Sequence, residues 1–197
     1  YQIDVDDRIT KTQFLPVSGN PNFSNLSFYT NALNTKTSGL DIVATYSMDW
    51  RGGGASKLSL GYNYNNTEVK SQNQVGGLNP VSDSTIRNIE KNLPDHHLSG
   101  TIIHNVGDFT ITARANYYSE TLDERGSAEK VGAEVIVDFS VAYHMNDSLT
   151  WTLGANNLFD EYPDKIDTRV SQGMPYPRRS PIGYDGGFVY LKLGYQF

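Results

Sequence analysis

Few folds can accept the last eleven residues of this chain, Gly187-Phe-Val-Tyr-Leu-Lys-Leu-Gly-Tyr-Gln-Phe197. Val189, Leu191, Leu193, Tyr195 and Phe197 take every second position, with Tyr190, Lys192, Gly194 and Gln196 between them. That is the period of an extended strand, not of a helix. A strand so apolar on one side needs a hydrophobic partner, and the partner can be a protein core or lipid.

The same alternation recurs upstream. Tyr1, Ile3, Val5 and Ile9 alternate with Gln2, Asp4, Asp6 and Arg8, with a stumble at Asp7; Leu40, Ile42, Ala44, Tyr46 and Met48 follow after a long segment, about residues 14 to 36. Arg51-Gly52-Gly53-Gly54 then reads as a tight turn into Leu58, Leu60, Tyr62 and Tyr64. A polar segment from about Lys70 to Leu93 leads to Leu98, Gly100 and Ile102, and Asn105-Val106-Gly107-Asp108 links these to Phe109, Ile111, Ala113, Ala115 and Tyr117. After a charged loop, about 120 to 132, come Val135, Val137, Phe139, Val141 and Tyr143, the turn Met145-Asn146-Asp147-Ser148, and Leu149, Trp151, Leu153 and Ala155. The longest loop, about 158 to 186, precedes the final strand. The pattern predicts eight strands in an antiparallel meander, its connections alternately long and short.

Strands of nine to twelve residues suit a tilted membrane crossing better than a soluble sandwich, whose strands average about five or six. The residues between the apolar ones include Asp41, Asp49, Asn63, Arg114, Asn116, Asp138, Lys192 and Gln196. In a dry core each would cost several kcal/mol if unpaired, whereas facing a wet lumen they cost little. Tyr46, Trp50, Tyr62, Tyr64, Tyr117, Tyr143, Tyr195 and Phe197 fall near strand ends, where interfacial girdles lie. Mean hydropathy is only −0.48, as expected when lipid-facing residues occupy alternate positions.

Other classes are disfavoured. With 22 acidic and 16 basic residues the chain carries a net charge of −6 and no basic cluster for phosphates, so nucleic acid is not an expected partner. The absence of Cys removes thiol catalysis and thiolate metal sites. No nucleophile elbow, phosphate loop or His-Glu-x-x-His is present, and no enzyme, metal or cofactor is expected. His96-His97 would point to opposite faces of a strand, which disfavours a shared ion. Asp160, Glu161, Asp164, Asp167 and Asp185 lack the rhythm of a calcium loop and read as solvated acids.

Trp151-Thr-Leu-Gly-Ala-Asn156-Asn157-Leu158-Phe159-Asp160-Glu161-Tyr162-Pro163, Tyr176-Pro177 and the strand ending Tyr195-Gln196-Phe197 together resemble the carboxy-terminal signature of TonB-dependent outer-membrane receptors. Asp7-Arg8-Ile9, Gly39-Leu40-Asp41 and Pro94-Asp95-His96-His97-Leu98 resemble that family's barrel too, so the likeness runs along nearly the whole chain. One departure is Gly186-Gly187, where the family usually has Gly-Arg.

The resemblance implies an all-β, antiparallel transmembrane β-barrel, residues 1–197 being the carboxy-terminal eight strands of a larger barrel of about 22 strands. It implies an outer-membrane receptor and transporter that takes up a nutrient chelate, such as a ferric siderophore or cobalamin. The plug domain, the region that contacts TonB and the signal peptide are expected to lie amino-terminal to Tyr1. Expected partners are the outer-membrane bilayer, the chelate, TonB through that missing region, and the outer-membrane assembly machinery. The machinery would read Val189, Leu191, Leu193, Tyr195 and Phe197 as its signal. Phe14, Phe23, Phe28 and Tyr29 on the first loop, with Tyr162, Arg169, Tyr176, Arg178, Arg179 and Tyr184 on the last, are candidate contacts for a planar, anionic ligand. Two alternatives stay open: a self-contained eight-stranded barrel acting as an anchor or adhesin, and a soluble ligand-binding barrel with its faces reversed.

Overall fold

The structure, a computed structural model, describes residues 2–11, 15–16, 25–26, 28–124, 128–166, 173 and 175–197. In chain order the elements are β1 (Gln2–Lys11), β2 (Leu15–Pro16), β3 (Asn25–Leu26), β4 (Tyr29–Asp49), β5 (Ala55–Gln72), α1 (Asp83–Lys91), β6 (His96–Val106) and β7 (Phe109–Tyr118). They continue with β8 (Thr121–Asp123), β9 (Glu129–Val131), β10 (Glu134–His144), β11 (Leu149–Asn156) and β12 (Phe188–Tyr195). Eight of these strands form one antiparallel sheet in the order β1-β4-β5-β6-β7-β10-β11-β12. The two remaining pairs, β2-β3 and β8-β9, are small hairpins inside long connections. The sheet is open: among the described residues β1 and β12 do not pair with each other.

Register settles the two faces. Ile42, Tyr62, Leu98, Tyr117 and Val135 are Cα partners across five successive strands. Tyr46, Leu58, Ile102, Ala113, Phe139, Ala155 and Val189 form a second row, and Phe109, Tyr143, Trp151 and Leu193 a third. The intervening rows are polar: Asp41, Asn63, His97, Tyr118 and Glu134, then Thr45, Ser59, Thr101, Arg114 and Asp138. Val43, Ile103 and Ile136 are apolar exceptions on this second face.

Among the described residues no dry core lies under the apolar rows. The buried hydrophobic residues among those described are Ala32, Leu33, Val81, Val131, Ile166 and Ile182, and none belongs to them. Leu153 and Leu191 are instead 58% and 67% exposed. A soluble barrel with reversed faces would bury both, so the apolar face is the lipid face. From Leu40 to Trp50 the chain rises about 33 Å along the strand, or about 25 Å along the membrane normal at a tilt of ~40°, the height of a transmembrane apolar band.

The short-turn rim is built tightly. Trp50 N donates to Gly54 O at 3.0 Å and Gly53 N to Trp50 O at 3.0 Å. Gly54, at φ +108°, lies so near the β6 carbonyl of Asn105 that a Cβ would sit 2.6 Å from it. Trp50 Nε1 donates to Ser56 Oγ at 2.9 Å, and Ser56 Oγ shares a 2.8 Å hydrogen bond with His104 Nδ1, so the polar atoms of this lipid-side rim satisfy one another.

The long-loop rim departs from expectation in two places. The segment expected as loop from 14 to 36 gives way to strand at Tyr29, and β5 continues to Gln72, so this hairpin stands well clear of the apolar band. The polar segment from 70 to 93 contains a helix, α1. Ser82 caps it, its Oγ accepting from Thr85 N at 3.3 Å; Asp83 and Lys91 complement the helix dipole at its two ends. Ile86 and Ile89, with Val69, then pack on Ala32, Leu33 and Val81. Loop-like composition hid the helix, whose nine residues are held by this packing more than by propensity.

Candidate functional site at the long-loop rim

Leu33, Thr35, Thr37 and Asp41 share one face of β4, and Thr35 and Thr37 pair with Val69 and Thr67. The helix therefore covers the hairpin on its polar, lumen-facing side, above the membrane band. Three contacts hold it there: Val69 N donates to Glu90 Oε1 at 2.7 Å, Val81 N donates to Gln72 Oε1 at 3.2 Å, and Arg87 forms a two-point ion pair with Glu124. The Glu124 side chain is 3% exposed and that of Arg87 half exposed. The pairing holds the Arg87 guanidinium above its usual range, the hydrogen bond to Glu124 being the main cause.

Between α1, the β8-β9 hairpin and the last loop lies a cleft of about 570 Å³. Asn88, Asn92, Thr67, Thr121 and Asp123 give it polar walls; Ile89, Leu93, Leu122 and Val131 give it apolar ones, and Arg178 and Arg179 close one side. Both arginines are solvent-exposed. Arg178 N donates to Asp123 Oδ2 at 3.1 Å, which fastens the last loop to β8 across 55 residues of sequence.

The last loop also carries an aromatic column. Tyr162 stacks on Tyr176 (centroids 6.1 Å, interplanar angle 14°), and Tyr176 stacks on Tyr184 (5.6 Å, 11°). The Tyr184 hydroxyl donates to Pro177 O at 2.6 Å, which places the column beside the Arg178-Arg179 pair. A hydrogen bond to the Asp160 carboxylate raises the Tyr162 phenol above its ordinary range.

Five candidate residues from the last loop are thus assembled: Tyr162, Tyr176, Tyr184, Arg178 and Arg179. Phe28 and Tyr29 are exposed at the start of β4, and β5, β6, β7 and β10 separate that strand from β11. Neither Phe28 nor Tyr29 is among the residues that line the cleft. Phe14, Phe23 and Arg169 lie outside the described residues. The cleft's α1 wall was missed from sequence; the available signal was Ser82 with Asp83 behind it, an N-cap pattern ahead of Ile86 and Ile89.

The motif Asn156-Asn157-Leu158-Phe159-Asp160 is the clasp that sets this loop in place. Asn157 adopts φ 49° and Asp160 φ 57°. Asn157 N donates to Asp138 Oδ1 at 2.9 Å, its side-chain amide donates to Glu161 O at 2.7 Å, and Glu161 N donates back to Asn157 Oδ1 at 2.9 Å. Asp160 Oδ1 then accepts from Gly187 N at 2.8 Å, joining the end of β11 to the start of β12. A Cβ at Gly187 would collide with Asn157 O, which accounts physically for the second glycine of Gly186-Gly187.

His96 and His97 do point to opposite faces: His96 stacks on Tyr64 (5.0 Å) and His97 on Tyr118 (4.4 Å). Val189, Leu191, Leu193, Tyr195 and Phe197 all lie exposed at or beyond the free edge of β12.

A comparison with curated proteins finds no match. Among solved structures, the chain is similar to the FrpB iron transporter from Neisseria meningitidis (TM-score 0.64, 15% identity), covering 100% of this chain and 28% of that one. It is also similar to FpvAI in complex with pyocin S2 (0.55, 15%) and to the ferripyoverdine receptor of the outer membrane of Pseudomonas aeruginosa (0.52, 15%), each covering 94% of this chain and 23% of the other. The chain therefore spans about a quarter of the length of these relatives in fold. A family profile described as "TonB dependent receptor-like, beta-barrel" matches residues 1–158. With most of the chain matched by that profile and the whole sheet shared with receptors of this kind, the chain belongs to the TonB-dependent receptor β-barrel family, outer-membrane transport receptors and not enzymes.

Proposed function

We propose that this chain is the carboxy-terminal portion of a larger barrel, about 22 strands in all, in a receptor that captures a nutrient chelate outside the cell and admits it by TonB-driven passage. Ferric siderophores are the first class to test and cobalamin the second. The plug, the segment that meets TonB and the signal peptide belong to the amino-terminal remainder. The free edges of β1 and β12 support this reading, since a strand edge in lipid needs a partner for its backbone groups. The strands that complete the barrel provide one on each side.

The observation that carries the proposal is the cleft on the lumen side of the long-loop rim. Arg178 and Arg179 flank it, amide side chains line it, and three stacked tyrosines stand beside it. Guanidinium groups and aromatic faces together suit a planar, anionic chelate. The names of the similar structures, an iron transporter and a ferripyoverdine receptor, favour the same class. Phe14, Phe23, Phe28, Tyr29 and Arg169 remain proposed as further contacts supplied when the barrel closes. The alternating face of β12, Val189 to Phe197, is proposed as the segment read by the outer-membrane assembly machinery.

The test is growth of a deletion strain on defined iron and cobalamin sources, complemented with the full-length protein or with R178A/R179A. Loss of growth on one chelate only, restored by wild type and weakened at least tenfold in ligand affinity by the double variant, is the expected result. Unchanged affinity in the double variant removes the charge-matching role of these arginines.

A further inference from the structure

Glu134 opens β10 on the lumen-facing side and is 9% exposed. Its Oε2 accepts from Ser180 Oγ at 3.4 Å, but its Oε1 is buried with no hydrogen-bond partner among the described residues. An orphaned buried carboxylate oxygen is costly, because the protein replaces none of the hydration it removes. Glu134 lines a cavity of about 270 Å³ together with Glu161, Tyr162, Asp164 and Ile182. Among the described residues no Lys or Arg lines this cavity beside these acids.

Asp164 belongs to this cavity by a fixed contact. Gly132 N donates to its Oδ2 at 2.7 Å, which leaves Oδ1 available. In sequence, Asp160, Glu161 and Asp164 have no binding-loop spacing. The missing ligand comes from a strand that ends its preceding loop 30 residues earlier, which no local rhythm can reveal.

We propose that Glu134 and Asp164 hold a hard divalent cation of the calcium class in this cavity, with Glu161 at its mouth. The two carboxylates supply the fixed oxygens. The remaining coordination comes from backbone carbonyls and water, for which the cavity has room, since each water occupies about 30 Å³. Calcium accepts such mixed, irregular oxygen shells of 6–8 ligands, whereas magnesium demands a near-ideal octahedron. Among the described residues no three acidic or imidazole side chains converge at ligand distance, so the site is built on two side chains rather than on a full protein cage. The ion ties the first residue of β10 to the loop between β11 and β12 and thereby fixes the floor under the tyrosine column. This inference does not depend on what the receptor transports.

Tyr162 lines the same cavity and makes the test direct, because it can sensitise the luminescence of terbium bound there. The full-length protein, purified in detergent and stripped with EDTA, is titrated with terbium and then with calcium or magnesium. Expected are a saturable tyrosine-sensitised signal that calcium displaces and magnesium does not, affinity at least tenfold weaker in E134Q and in D164N, and no change in D147N, an exposed turn acid. Calcium should also raise the melting temperature of the wild type. An E134Q protein that binds terbium as tightly as wild type overturns the site. If neither Glu134 nor Asp164 variant folds, a wild type with no saturable signal and no calcium-dependent melting shift overturns it equally.

Discussion

The orientation of the sheet can be tested at Leu60. This residue sits on the apolar face of β5, paired with Ala44 on β4 and Gly100 on β6, so its neighbours are small and carry no charge. Ala44 lies four residues from Leu40 and six from Trp50, about 13 and 20 Å along the strand at 3.3 Å per residue, further than an arginine side chain reaches. Leu60→Arg therefore places a guanidinium near the bilayer midplane with no route to water, at a cost of about 2–4 kcal/mol. That shifts the folded-to-unfolded ratio by roughly 30- to 700-fold, since each 1.4 kcal/mol is tenfold. Ser59→Arg, one residue away on the opposite face between Thr45 and Thr101, should cost less than about 1 kcal/mol because its side chain enters a wet lumen. The assay is insertion of the full-length protein into lipid vesicles across a denaturant series, with heat-modifiable gel mobility as the reading of folded barrel. Equal costs at the two positions, or a larger cost at Ser59, would refute the assignment of faces.

Other consequences are as direct. Asn157→Ala removes two side-chain hydrogen bonds and strains a backbone at φ 49°, and should destabilise the clasp by about 1–3 kcal/mol, read as faster proteolysis of the loop between β11 and β12. Gly187→Arg, which restores the residue usual in the family, should be tolerated poorly here because its Cβ meets Asn157 O; a thermal midpoint equal to wild type would contradict the crowding. Arg87→Ala leaves the buried Glu124 carboxylate without its ion-pair partner, so it should loosen α1 more than the double change Arg87→Ala/Glu124→Gln does. Hydrogen exchange across residues 83–91 distinguishes the two variants.

Much of the architecture is legible in the sequence because strand alternation is a local signal. Leu40 to Met48, Phe109 to Tyr117 and Val135 to Tyr143 each show period two over at least four repeats, and each is a strand of the sheet. The stumble at Asp7 coincides with the register shifts between Val5 and Ile9. The boundaries of β4 and β5 were not legible: Tyr29 to Lys36 and Lys70 to Gln72 read as polar loop because, above the membrane, neither face needs to be greasy. Helix α1 escaped for a related reason, since Ile86 and Ile89 are its only apolar residues and two make no periodic run.

The candidate site was half legible. Residue types suited to a chelate could be picked from the last loop, but which of them meet is decided by contacts such as Arg178 with Asp123 and Asp160 with Gly187, whose partners are distant in sequence. Sequence alone determined the number of strands, the two rims and which side chains share the apolar face, because one side chain in two must be apolar wherever a strand has one greasy side. Only the tertiary structure decided that a helix roofs the long hairpin, that Glu134 and Asp164 line one cavity, and that the tyrosines stack. Those arrangements arise between loops, where packing and hydrogen bonding over long separations leave no period to read.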